Sequence, residues 1–349
     1  MPERDALSGG AERIAGEGRV GVPTYRELMA RTDAPAGSSW GVFGPGDQLG
    51  ALNFIGRAQT AFAASLVRKG QIFDLDYPIN SFVPSIAGTR PHTEHHIFAN
   101  NPNHRDDWLD SFYLQSTSQI DGLRHMRHPD YGFYGGVPDA LIAEGTPHLG
   151  IQLVAAHGIA TRGVLLDLPR YFESVGRRLD VASNQAVTVA DLRAAAAFHG
   201  VQFRRGDIIM MRTGWAGDWL NLAPSEQEKR RAEWGSPGIE QSHEMLGFLW
   251  DEGIAMIASD NAGVEAFPVD PHSSFVDPAE PIPSRGPIHN GMLHRPLLAL
   301  LGIYLGELWR LDDLAEACAE DGKYEFFVTS KPLAVPGGVG SPPNAMAIK

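Results

Sequence analysis

The chain has 349 residues, of which 43% are hydrophobic and 20% charged, with a formal net charge of −13. Such values suit a soluble globular protein with a sizeable core. They argue against nucleic acid as a partner, because phosphate binding needs clustered positive charge. Cys318 is the only cysteine, which excludes an intrachain disulfide and a cysteine-based zinc site and suits a reducing cytoplasm.

In chain order, Met1 to Gly21 is charged and glycine-rich without an apolar run of signal-peptide length, and reads as a flexible arm (residues 1–21). From Val22 to the end (residues 22–349) the chain is apolar-patterned with no linker or repeat, and reads as a single domain. Gln71 to Tyr77 and Phe112 to Gln119 alternate as strands. Gly163 to Asp167 reads as a strand ending on a carboxylate. Thr188 is placed to cap a helix over Val189 to His199, closed by Gly200. Asp207 to Thr213 reads as a buried strand, Gly238 to Glu252 as a helix and Ile254 to Ala258 as a strand. Phe267 to Pro287 is long enough to form loops over a site. Pro296 to Trp309 is too short and too interrupted by glycine to span a bilayer. Leu311 to Glu320 and Tyr324 to Thr329 supply a last helix and strand. The alternation predicts an α/β fold with polar residues gathered at strand ends.

Several clusters have chemical potential. Asp121 and His125 stand four residues apart in Gln115-Ser-Thr-Ser-Gln-Ile-Asp-Gly-Leu-Arg-His125, offering an anionic oxygen and a proton-transfer group from one loop. A turn-capping aspartate and a surface histidine would show the same spacing. His294 precedes the nearly uncharged stretch Leu297 to Gly306, which Glu307 follows. A carboxylate there needs a partner, and a metal, Arg295, Arg310 or a backbone amide would each serve. Asp260 and Asn261 follow a strand and either line a pocket or make a turn. Tyr131, Phe133 and Tyr134 either line a pocket for a ring-bearing substrate or pack a surface loop. Arg90-Pro-His-Thr-Glu-His-His96 reads as a solvated or pocket-rim loop, and Gly337 to Pro343 as a C-terminal turn rather than a phosphate loop. No Gly-x-Ser-x-Gly elbow occurs, which disfavours serine hydrolysis.

Together these segments resemble the cyclase family of metal-dependent hydrolases, the family of kynurenine formamidase and isatin hydrolase. The carriers are Trp40-Gly41 with Asp47, Gly50 and Leu52-Asn53; Gln119 to His125; Arg162 to Asp167; Gly206 to Trp215; Ser259 to Asn261; His294 to Glu307; and Gly337 to Pro342. The family's loop reads His-x-Gly-Thr-His-x-Asp-x-Pro-x-His. Asp121 falls on its metal-binding aspartate and His125 on its last histidine, a base or second-metal ligand, while Gln115 and Gln119 replace its two leading histidines. The longer members often show Gln-x-Asp-Gly-x-x-His here.

The resemblance implies a swivelling β/β/α domain with mixed β-sheets and flanking helices, assembled as a homodimer or homotetramer. It implies one divalent ion on Asp121, His294 and Glu307, with Gln119 as a weak ligand. An amide in place of imidazole favours manganese or magnesium over zinc. The implied reaction is hydrolysis of an amide, lactam or lactone in a small molecule, using metal-activated water and His125 as the base. A metal-independent cyclase, dehydratase or isomerase using His125 and a carboxylate, and a non-catalytic binder of the same fold, are the alternatives.

Overall fold

Four parallel strands form the centre of the molecule: Ile159–Asp167, Ile208–Arg212, Met256–Ser259 and Tyr304–Glu307, hydrogen-bonded in that order. They are the chain's apolar runs, and Val164 to Leu166, Ile208 to Met211 and Met256 to Ala258 have no measurable exposure. Strands covered on both faces need such continuous apolar sequence. Antiparallel strands extend the sheet to nine. Glu325–Ser330, Ala345–Ile348 and Ile72–Asp74 continue it from Ile159–Asp167, while Gln119–Asp121 and Gly340–Ser341 continue it from Tyr304–Glu307. This computed structural model describes residues 21–86, 88–284, 286 and 288–349; the arm expected over residues 1–21 lies outside them apart from Gly21.

Helices flank the sheet. Val189–Phe198 begins where the sequence predicts: Thr188 Oγ1 accepts from Asp191 N at 3.1 Å, and Asp191 Oδ2 accepts from Thr188 N at 3.2 Å. Such a reciprocal cap stabilises a helix by about 1 kcal/mol. The architecture is thus the mixed α/β arrangement expected. No helix among the described residues is long and apolar enough to cross a membrane.

Four local expectations are corrected. Phe112 to Ser118 is not a strand. Ser118 Oγ donates to Leu308 O at 2.5 Å and accepts from Tyr77 N at 2.8 Å, so side-chain bonds take the place of a ladder, and pairing begins only at Gln119. The helix expected over Gly238 to Glu252 is confined to His243–Asp251, capped by Ser242, because Gly238–Ile239 pairs with Ala186–Val187. The histidine-rich loop enters an exposed hairpin, Glu94–Asn101 with His104–Asp110. The C-terminal turn carries the short strand Gly340–Ser341, paired to Asp121 and Ile120.

Candidate active site

The site forms where the first-half loop and the last parallel strand meet. Gln119–Asp121 runs antiparallel to Tyr304–Glu307, with Glu307 opposite Gln119 and Leu305 opposite Asp121. Alternation along a strand puts Gln119, Asp121 and Glu307 on one face. Gln119 Nε2 donates to Glu307 Oε2, and Gln115 Nε2 donates to Asp121 Oδ1. Both carboxylates that sequence reasoning singled out are therefore buried side by side.

His294 completes the cluster from a separate segment, and a residue with no assigned role orients it. Glu265 accepts from Leu293 N at 2.6 Å and from His294 N at 2.8 Å. Its Oε1 also accepts from His294 Nδ1 at 2.6 Å. The other ring nitrogen, Nε2, lies 2.9 Å from Glu307 Oε1 and 3.9 Å from Asp121 Oδ2. Glu265 is itself fixed by the turn after Met256–Ser259: Asn261 Oδ1 accepts from Val264 N at 2.7 Å. Gly238 lets another backbone pass there, since a Cβ on it would come within 2.3 Å of Glu265 C. Neither Arg295 nor Arg310 satisfies Glu307; they pair with Glu280 and Asp313.

The electrostatics follow from burial and pairing. Burial opposes charge on His294, but hydrogen bonds and charge from Glu265 and Glu307 outweigh it and raise its pKa to about 10. Burial likewise opposes charge on Glu307, yet His294 holds its pKa below the usual value. Asp121 is pushed upward by burial, with the His125 charge opposing the shift.

His125 stands at the edge with its side chain 19% exposed, Nε2 being 3.6 Å from Asp121 Oδ2. Gln115 Nε2 lies 3.3 Å from its Nδ1. Sequence reasoning also missed His289, whose ring centre lies 6.4 Å from that of His125 and 5.7 Å from that of His294. Burial, and then the charges of His294 and His125, lower its pKa to about 3. No spacing signal marked it; only its nearness to His294 in sequence could have drawn attention.

A cavity of about 910 Å³ opens over this cluster, well within the range of small-molecule sites. Gln115, Gln119, Asp121, His125, His294 and Glu307 all line it. Ile86, Phe133, Trp234, Phe267 and Met292 supply apolar wall, and the stretch beginning at Phe267 does pass over the site. Of the proposed substrate contacts, only Phe133 reaches the cavity. Tyr131 is 45% exposed and stacks on His128. Tyr134 is buried, donating its hydroxyl to Asp47 at 2.9 Å. Asp260 accepts from Thr213 N, Thr213 Oγ1 and Gly214 N, and burial raises its pKa to about 6. Asn261 holds the turn that delivers Glu265. Tyr134, Asp260 and Asn261 are occupied by the framework, their polar atoms directed at backbone or buried neighbours, while Tyr131 lies on the surface.

The cyclase family model, described as "Putative cyclase", matches residues 73–266. A crystal structure titled a novel cyclase is 32% identical, covering 89% of this chain and 99% of that one with a TM-score of 0.74. The chain belongs to the cyclase family. Two other family-fold structures are isatin hydrolase A from Labrenzia aggregata (16% identity, 82% of this chain and 96% of that one, TM-score 0.52) and from Ralstonia solanacearum (18%, 84% and 98%, 0.50). Their likeness is one of fold. No functionally curated protein matches the chain.

The residues of this cyclase-family site fit a divalent cation. Asp121, His294 and Glu307 each offer a ligand atom, all within 4.8 Å of one another. Two buried oxygens beside them, Asp121 Oδ2 and Gln119 Oε1, have no hydrogen-bond partner, a costly condition that a cation would relieve. Glu265 supplies the outer carboxylate that typically orients a metal-ligating imidazole.

Proposed function

We propose that this cyclase-family protein is a metal-dependent hydrolase of an amide, lactam or lactone bond in a small, ring-bearing molecule. The observation that carries the reading is the buried Asp121–His294–Glu307 cluster with the unpartnered Asp121 Oδ2, facing the cavity beside His125. A divalent ion held by these three residues, with Gln119 as a further oxygen donor, supplies Lewis-acid polarisation of a carbonyl and acidifies water. Two carboxylates, one imidazole and an amide oxygen suit manganese or magnesium better than a nitrogen- and sulfur-rich set would.

The chain's own residues handle the protons. Water adds to the carbonyl carbon as its proton passes to His125; the C–N or C–O bond then breaks as His125 returns that proton to the departing atom. Gln115 touches both Asp121 and His125 and keeps their spacing. Glu265 holds the ring of His294 by Nδ1 and leaves Nε2 directed at the cluster. Phe133, Trp234 and Phe267 offer faces for a ring.

Elemental analysis of the purified, untagged protein tests the reading. A stoichiometric ion that disappears in Asp121→Ala and His294→Ala supports it. A metal-free preparation that retains full turnover overturns it and leaves His125-based proton transfer without an ion.

A further inference from the structure

Among the described residues, three arginines line the cavity, and two of them have carboxylate partners. Arg295 donates twice to Glu280, at 2.6 and 2.5 Å, and Arg127 stands 3.4 Å from Asp139. The Arg90 guanidinium has no hydrogen bond or ion pair among the described residues; only its backbone N–H is engaged, donating to Ser85 Oγ at 3.1 Å.

The backbone on either side of Arg90 is nevertheless held in place. The segment leading to it is anchored by Phe82 and Ile86, which pack with Trp215, Trp219 and Leu308. Beyond it, Asn80 Nδ2 donates to Thr93 O and Thr93 N donates to Asn80 Oδ1, both at 2.9 Å, which clips the two ends together. The side chain is half-buried at the cavity wall, and its charge reaches Glu307. Apart from such cations the cavity is acidic, with Asp121, Glu265, Asp277, Glu280 and Glu307 on its surface. An anion entering without Arg90 would meet mostly like charge. A half-buried guanidinium with its fork unfilled by any described residue suits a carboxylate, whose two oxygens match its planar donors.

We propose that Arg90 receives a carboxylate carried by the substrate away from the bond that is broken, so that the substrate class is a small ring-bearing carboxylic acid. The word substrate rests on the hydrolase reading; the anion site rests on Arg90 and stands without a metal.

The test is calorimetric titration of the full chain with benzoate and with benzamide, as purified and again after dialysis against a chelator, for the wild type, Arg90→Gln and Arg90→Lys. The expected result is that Arg90→Gln weakens benzoate about tenfold and benzamide less than about twofold, with Arg90→Lys in between, before and after chelation alike. Benzoate binding that vanishes on chelation and is untouched by Arg90→Gln would assign the anion to the ion and overturn the proposal. Equal weakening of both probes in Arg90→Gln would make Arg90 a structural residue and also overturn it. Absence of a stoichiometric ion, with the Arg90 dependence intact, would sink the hydrolase reading and leave the anion site standing.

Discussion

Two trios of one histidine and two carboxylates occur among the described residues, each with ligand atoms within 4.8 Å of one another, and they differ in nearly everything else. Asp121, His294 and Glu307 are 1%, 2% and 7% exposed. Glu94, His96 and Asp110 sit on the outer hairpin, where the Glu94 and His96 side chains are 64% and 36% exposed. The imidazole of His294 is gripped from the far side by Glu265, whereas His96 rests on the face of Trp108, its ring centre 4.6 Å away. Solvent can satisfy the outer carboxylates and screen their charge. The inner ones are removed from solvent and rely on His294, two glutamines and, at the rim, His125. Residue type and proximity are shared; burial and an orienting partner distinguish a site from a surface.

The strongest contrast is expected on removing a ligand. His294→Ala or Asp121→Ala should abolish stoichiometric metal and lower turnover by about a thousandfold or more. Glu94→Ala with Asp110→Ala should change neither, and elemental analysis with initial rates would show it. A loss of the ion in the hairpin variant would invert the comparison.

His125→Ala is expected to lower turnover by about a hundredfold to ten-thousandfold while the metal content stays at the wild-type level. Loss of the ion as well would make His125 a ligand rather than a proton carrier. Glu265→Gln, which touches no candidate ligand atom except through His294, should weaken metal binding by about ten- to a hundredfold in competition with a chelator. An unchanged affinity would remove the distinction drawn from the outer carboxylate.

A pH profile sharpens the same point. His294 in the chelated protein has its pKa raised from 6.5 to about 10. A raised base stabilises the fold fully below about pH 6.5, and that contribution is lost as the pH climbs through about 10. The melting temperature of chelated protein should therefore decline across that window, and His294→Gln should flatten the decline. The smallest effect belongs to the hairpin: Glu94→Ala should move the melting temperature by about 1 °C or less.

Much of the architecture was legible because local rules decide it. The parallel strands carry the apolar runs Val164 to Leu166, Ile208 to Met211 and Met256 to Ala258, and Thr188 with Asp191 spells a reciprocal helix cap within four residues. The strand expected over Phe112 to Ser118 failed because alternation of residue types does not reveal that Ser118 will engage Leu308 and Tyr77. Two of the three aromatic candidates miss the cavity for the same reason: neighbours in sequence, Tyr131, Phe133 and Tyr134 face surface, cavity and core respectively.

By itself the sequence determined the identity of the inner trio, through two carboxylate–histidine pairs and the order of motifs around them, and it placed amides at Gln115 and Gln119 where imidazoles were expected. Only the tertiary structure decided that the two pairs share one buried cluster, that Glu265 orients His294, that His289 joins the cavity and that Arg90 lines it with a guanidinium unpaired among the described residues. The reason is physical. Residue type and helix or strand period are short-range properties, whereas burial, ligand convergence and the pairing of charges depend on which distant segments the sheet brings together.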